Sequence, residues 1–172
     1  MGPEQWHGRG CLVTERSWTD PQDKFLDDFE VGERLTTRGR TVDAHDLTTF
    51  AGLTGDHYPL HTDEEYARTT RFGTRIAHGP LTFSIAVGLV GMSGFYGNAI
   101  VALLEISTLR ALKPVVPGDT IRVQAEVLEI KHGDNPKYGE LVVNYSVLNQ
   151  KAEEVMVFKQ RMLARRRLAG HS

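Results

Sequence analysis

The chain has 172 residues, 40% hydrophobic and 24% charged, with a formal net charge of −2. That is the make-up of one soluble globular domain large enough for a real core, and it gives no reason to expect nucleic acid as a partner. No apolar run reaches the roughly 20 residues of a membrane span, and the start MGPEQWHGRG lacks the apolar core of a signal peptide. The single Cys11 allows no intrachain disulfide and suggests no cysteine metal site, so a cytoplasmic protein with no membrane contact is expected.

Residues 1–24 mix Gly, Pro and charge without periodicity and read as an N-terminal arm. Trp6 and Trp18 suit packing on the body or on a second subunit. Residues 25–172 read as a single domain. In Arg34–Val42, Thr and Arg alternate as in a half-exposed strand. Asp43 is a good helix cap, with Leu47, Phe50 and Ala51 on one face of the helix it starts and Gly52 and Gly55 expected to end it. Thr62 or Asp63 can cap a short helix over residues 64–68. From Pro80 the residues Leu81, Phe83, Ile85, Ala86, Val87, Leu89 and Val90 are apolar nearly all round, which predicts a buried helix broken at Ser93-Gly94. Strands are expected at Ile100–Leu109, Asp119–Lys131, Glu140–Leu148 and Glu154–Leu163, between turn signals. One buried helix followed by four antiparallel strands supports an α+β fold with a sheet around that helix. Arg165-Arg166-Arg167 reads as a solvated tail rather than an anion-binding patch.

Chemistry concentrates between Phe50 and Gly88. Asp56 and His61 lie close together on a segment that Pro59 is expected to keep from regular helix. Ile76-Ala77-His78-Gly79-Pro80 follows and opens into the apolar run, with Pro suited to a helix start. Free N–H groups and a positive dipole end then stand beside an acid and an imidazole, which is what chemistry at a polarised carbonyl requires. The apolar run predicts an apolar cleft, where a carboxylate holds a proton more readily and works as a base. Asp56, His57, His61, Asp63 and His78 are potential metal ligands. Their spacing matches no helical His-x3-His pair, and no metal is expected. Asp63 is most simply a cap and His57 a loop residue. Ser84 has no Gly-x-Ser-x-Gly turn around it and is not expected to act as a nucleophile.

Gly55-Asp56-His57-Tyr58-Pro59-Leu60-His61-Thr62-Asp63, with Phe50-Ala51 before it and Tyr66-Ala67 after it, resembles the signature of MaoC-like hydratases. Arg71-Phe72 and Ile76-Ala77-His78-Gly79 match the same family in the same order. The resemblance covers roughly residues 29–163. It implies a hot-dog fold, an antiparallel sheet wrapped around a long central helix. It also implies hydration of trans-2-enoyl thioesters to (R)-3-hydroxyacyl thioesters, or the reverse dehydration. Asp56 would take a proton from water, His61 would hold that water and assist proton transfer to the α-carbon, and the Gly79 N–H would donate to the thioester oxygen. Tyr58, Pro59, His78 and Ser84 are expected around the substrate, with His78 orienting the oxyanion loop. No cofactor is implied. The expected partners are an acyl-CoA or acyl-carrier-protein thioester and a second copy of the chain, joined edge to edge in a homodimer.

The chain departs from the family pattern at three positions. Tyr58 stands where Asn is usual, Pro80 replaces a common Met, and Val87 occupies a position where several R-specific hydratases carry a hydroxyl. These departures bear on substrate choice and leave the Asp/His pair intact. Two rival readings are a hot-dog acyl-thioester thioesterase and a non-catalytic acyl-thioester-binding subunit of a heteromer.

Overall fold

The computed structural model describes residues 23–168, so Trp6, Cys11, Trp18 and most of the expected arm lie outside the described residues. A 3-10 turn at Leu26–Asp28 precedes two short strands, β1 (Arg34–Thr36) and β2 (Arg40–Thr41). Helices α1 (Ala44–Thr54), α2 (Pro59–Thr62), α3 (Glu64–Arg68) and α4 (Gly79–Gly91) follow. Then come four long strands, β3 (Ile100–Ala111), β4 (Thr120–Lys131), β5 (Tyr138–Leu148) and β6 (Glu154–Arg165). Among the described residues no helix is long and apolar enough to cross a membrane.

The sheet is antiparallel in the order β1-β4-β5-β6-β3, with β2 also pairing β4. Alternation along the strands decides its inner face. Ile121, Val123, Ala125 and Val127 of β4, Leu141, Val143, Tyr145 and Val147 of β5, and Met156, Phe158 and Met162 of β6 are all buried. They form one core with Leu81, Ile85, Ala86 and Val90 of α4. Tyr145 stacks on Phe158 at 4.5 Å between centroids, and Phe158 meets Phe83 of α4 edge-on at 4.8 Å. The Tyr96 and Tyr145 hydroxyls pair in this interior, where burial pushes the Tyr145 phenol up to about 12. β3 is the exception. It lies at one end of the sheet, and Val101, Leu103, Leu104, Ile106 and Leu109 are each 39–51% exposed.

The structure corrects four of the sequence-based expectations. Arg34–Val42 is two strands, because five residues from Thr36 to Arg40 oppose four from Gln124 to Ile121. Thr37 sits at this bulge, exchanging its N–H and its hydroxyl with the backbone of Val123. Helix α1 runs through Gly52 and stops at Gly55, whose φ of +76° is the left-handed C-cap that glycine adopts freely. Pro59 does not prevent helix. It opens α2, where its missing N–H has no partner to lose. Arg165-Arg166-Arg167 is not a solvated tail. Arg165 donates to Asp23 and Asn98, Arg166 to the carbonyls of His132 and Asn135, and Arg167 forks onto Asp28. These bonds tie the last strand to the 3-10 turn and to the β4–β5 hairpin.

Asp43 caps α1 as its position predicts. Its carboxylate accepts from the N–H groups of His45 and Asp46, and the Asp46 carboxylate returns the bond to the Asp43 N–H. Asp43→Ala is therefore expected to destabilise the fold by about 1 kcal/mol. The effect should read as a lower denaturant midpoint at unchanged slope.

Candidate active site

Two imidazoles lie face to face where α2 meets the start of α4. The rings of His61 and His78 stack with centroids 3.8 Å apart and planes inclined by 28°. His61 rides on α2, and its Nδ1 lies 2.7 Å from the carbonyl oxygen of Ile76. A carbonyl only accepts, so Nδ1 carries the proton and Nε2 keeps a free lone pair. His78 is 1% exposed and its Nε2 lies 3.0 Å from the carbonyl oxygen of Asp56. By the same reasoning Nε2–H is its donor and Nδ1 its lone pair, and that buried Nδ1 has no hydrogen-bond partner. The tautomers of both rings are thus fixed by backbone carbonyls.

Asp56 follows the Gly55 C-cap of α1. One carboxylate oxygen accepts a long bond, 3.3 Å, from the Tyr58 N–H, leaving the rest of the group open. One carboxylate oxygen of Asp56 and one ring nitrogen each of His61 and His78 lie within 4.8 Å of one another. The expected apolar cleft around the acid is not provided by this chain alone, since Asp56 is exposed. One carboxylate and two imidazoles this close also have the donor types that a metal ion takes.

Gly79 is the first residue of α4, so its N–H stands outside the helix ladder, and a side chain there would extend into open space. The segment before it is held on both sides. Ile76 N–H donates to Leu60 O at 3.3 Å and Ala77 N–H to Val115 O at 2.7 Å. Beside Gly79 opens a cavity of about 220 Å³ lined by His61, Gly79, Thr82, Arg71, Leu112 and Met156 among others. Arg71 stands over the Phe72 ring, while the nearby Lys113 is paired with Glu153 at 2.6 Å.

The remaining expected residues distribute unevenly. Tyr58 is 54% exposed, with its ring 6.4 Å from that of His61 and its hydroxyl 3.4 Å from that of Tyr66. Pro59 sets the turn that carries His61. Asp63 caps α3 by accepting from the Tyr66 N–H, and His57 is exposed. Ser84 is not brought to the pair. Its hydroxyl bonds Pro80 O at 2.8 Å, and it lines a separate groove with Arg40, Gly88 and Met92. Thr82 has no place in the sequence-based site, and the signal for it, a hydroxyl in the apolar run one turn after Gly79, is shared with Ser84.

Residues 28–149 match the family model described as MaoC like domain. The uncharacterized protein YdeM of Bacillus subtilis is 38% identical over 134 residues, which is 78% of this chain and 92% of that one. An (R)-specific enoyl-CoA hydratase of Rhodospirillum rubrum is 34% identical over 108 residues, 60% of this chain and 69% of the hydratase. Protein MaoC of Klebsiella aerogenes is 36% identical over 121 residues, or 70% of this chain but only 35% of that longer protein. A double hot-dog protein of Mycobacterium tuberculosis, 17% identical, superposes with a TM-score of 0.75 over 87% of this chain and 46% of its own. That last likeness identifies the fold.

Proposed function

Because the chain belongs to the MaoC-like family of hot-dog hydratases and dehydratases, we propose that it hydrates trans-2-enoyl thioesters to (R)-3-hydroxyacyl thioesters, or runs the reverse dehydration. The observation that carries this reading is the fixed tautomer of His61. Its Nε2 is left as an acceptor, and one ring nitrogen of His61 lies within 4.8 Å of a carboxylate oxygen of Asp56, a closeness that suits two acceptors holding one water by its protons.

In this reading the water oxygen bonds to the β-carbon while Asp56 takes one of its protons. The displaced electron pair moves through the α-carbon to the thioester oxygen, where the Gly79 N–H stabilises the enolate-like charge. His61 holds the water and assists delivery of a proton to the α-carbon. One water proton thereby stays on the new hydroxyl, the other ends on carbon, and the enzyme is unchanged. His78 is a positioning residue, joining the Asp56 backbone to His61 by one hydrogen bond and one ring face. Tyr58 forms a wall beside His61 and bears on which acyl group enters. Ser84, tied to Pro80 O in a separate groove, has less support as a substrate contact than the other three. No organic cofactor is required, since the thioester itself acidifies the α-carbon. The acyl carrier is CoA or an acyl carrier protein.

A homodimer fits the same reading. Among the described residues β3 ends the sheet and carries a row of exposed aliphatic side chains, a combination that isolated proteins normally cover. It runs directly into Leu112 and Val115, which line the cavity beside Gly79, so a second copy docked on β3 would also enclose the site. Leu104→Lys is expected to convert a dimer into single chains in sedimentation and to reduce turnover with it. A dimer that persists unchanged would count against this edge.

Mixing the protein with a short trans-2-enoyl-CoA tests the reaction class. The account expects the conjugated absorbance to fall with no release of free thiol. Thiol release would instead favour the thioesterase, and thermal stabilisation by acyl-CoA without turnover would favour the binding subunit.

A further inference from the structure

Thr82 is the only polar side chain on the buried face of α4, which otherwise consists of Leu81, Ile85, Ala86 and Val90. It is 4% exposed, and it lines the same cavity as His61 and Gly79. Its hydroxyl makes one long contact, 3.4 Å to the carbonyl oxygen of His78, at the limit of a hydrogen bond. Ser84, two residues on, differs on each count. It is exposed, it faces another groove, and its hydroxyl is firmly bound at 2.8 Å.

The start of α4 also has fewer donors than an ordinary helix. Pro80 removes the N–H adjacent to that of Gly79, and the Thr82 N–H is committed to His78 O at 3.1 Å. A thioester oxygen facing this end therefore meets the Gly79 N–H without a donor from the next residue, the Leu81 N–H two residues on being the other uncommitted backbone donor of the first turn. Three residues along a helix places Thr82 on the same face as Gly79, one turn deeper. Its hydroxyl can rotate from the weak bond to His78 O toward an oxygen in the cavity without breaking any strong interaction.

We infer that Thr82 is a second oxyanion donor, its hydroxyl hydrogen-bonding the thioester oxygen together with the Gly79 N–H as enolate charge develops. This inference rests on the hydratase reading above. It makes Thr82 a catalytic residue whose contribution is larger in the transition state than in the bound substrate, because a hydroxyl binds a developing oxyanion more strongly than a neutral carbonyl.

The test compares wild type, Thr82→Val and Thr82→Ser on a short trans-2-enoyl-CoA, with thermal midpoints measured alongside. Valine keeps the shape and removes the donor, so kcat should fall by about 10- to 100-fold with KM nearly unchanged. Serine keeps a hydroxyl and should retain most of the turnover. A purely structural Thr82 would leave kcat untouched in the valine variant, whatever happens to its midpoint, and that result overturns the inference alone. Failure of the serine variant to exceed valine also overturns it. Wild type that does not hydrate the thioester overturns the hydratase reading, and the inference falls with it.

Discussion

Asp56→Asn should lower kcat by about a thousandfold, within the range a positioned general base supplies. Asparagine keeps the size of the side chain and an oxygen able to accept from the Tyr58 N–H, so the turn after Gly55 survives. The bond from His78 goes to the Asp56 backbone carbonyl and is indifferent to the substitution. What disappears is the negative charge and the ability to take a proton from water. The predicted signature is therefore an unchanged thermal midpoint and an unchanged affinity for acyl-CoA, with nearly all of the loss in kcat. A variant that keeps turnover within about threefold of wild type would remove Asp56 from the chemistry, since the loss of a general base is rarely so small.

Phe158→Ala should produce the largest change in stability, about 4 kcal/mol, as expected for deleting a fully buried aromatic ring. The ring is sandwiched between Tyr145 of β5 and Phe83 of α4, so its removal opens a cavity where the sheet grips the central helix. Neither neighbour can collapse into the gap freely. Tyr145 is held by its hydroxyl bond to Tyr96, and Phe83 is fixed to the helix backbone. Denaturant unfolding measures the effect. Turnover per folded molecule should change far less, because the segment before Gly79 is held by Ala77 N–H to Val115 O and His61 by its bond to Ile76 O, neither of which involves Phe158. A loss below about 1 kcal/mol would mean that the helix is held elsewhere.

Much of this could be read from the sequence where the cause is local. The alternation of Ile121 through Val127 gives β4 and its inner face, and the unbroken apolar run after Gly79 gives the buried helix. The Asp43 cap and the closeness of Asp56 to His61 are likewise short-range facts. What escaped depends on distant partners. The bulge between Thr36 and Arg40 exists because Thr37 engages Val123, 86 residues away. The arginine run reads as solvated from the sequence because Asp28, which Arg167 grips, lies 139 residues before it. The proton on His61 is assigned by Ile76 O, which spacing alone does not bring near. Thr82 is one of two hydroxyls in the apolar run after Gly79, and what separates it from Ser84 is the cavity beside it, which spacing does not show.

The central claim is that water held by Asp56 and His61 attacks the β-carbon of an enoyl thioester rather than its carbonyl. Turnover of trans-2-enoyl-CoA in heavy-oxygen water, followed by mass spectrometry of the product, tests it directly. The account predicts one labelled oxygen in an intact 3-hydroxyacyl thioester, located in the new hydroxyl. Label in a free carboxylate, with the thioester cleaved and the double bond retained, would contradict it.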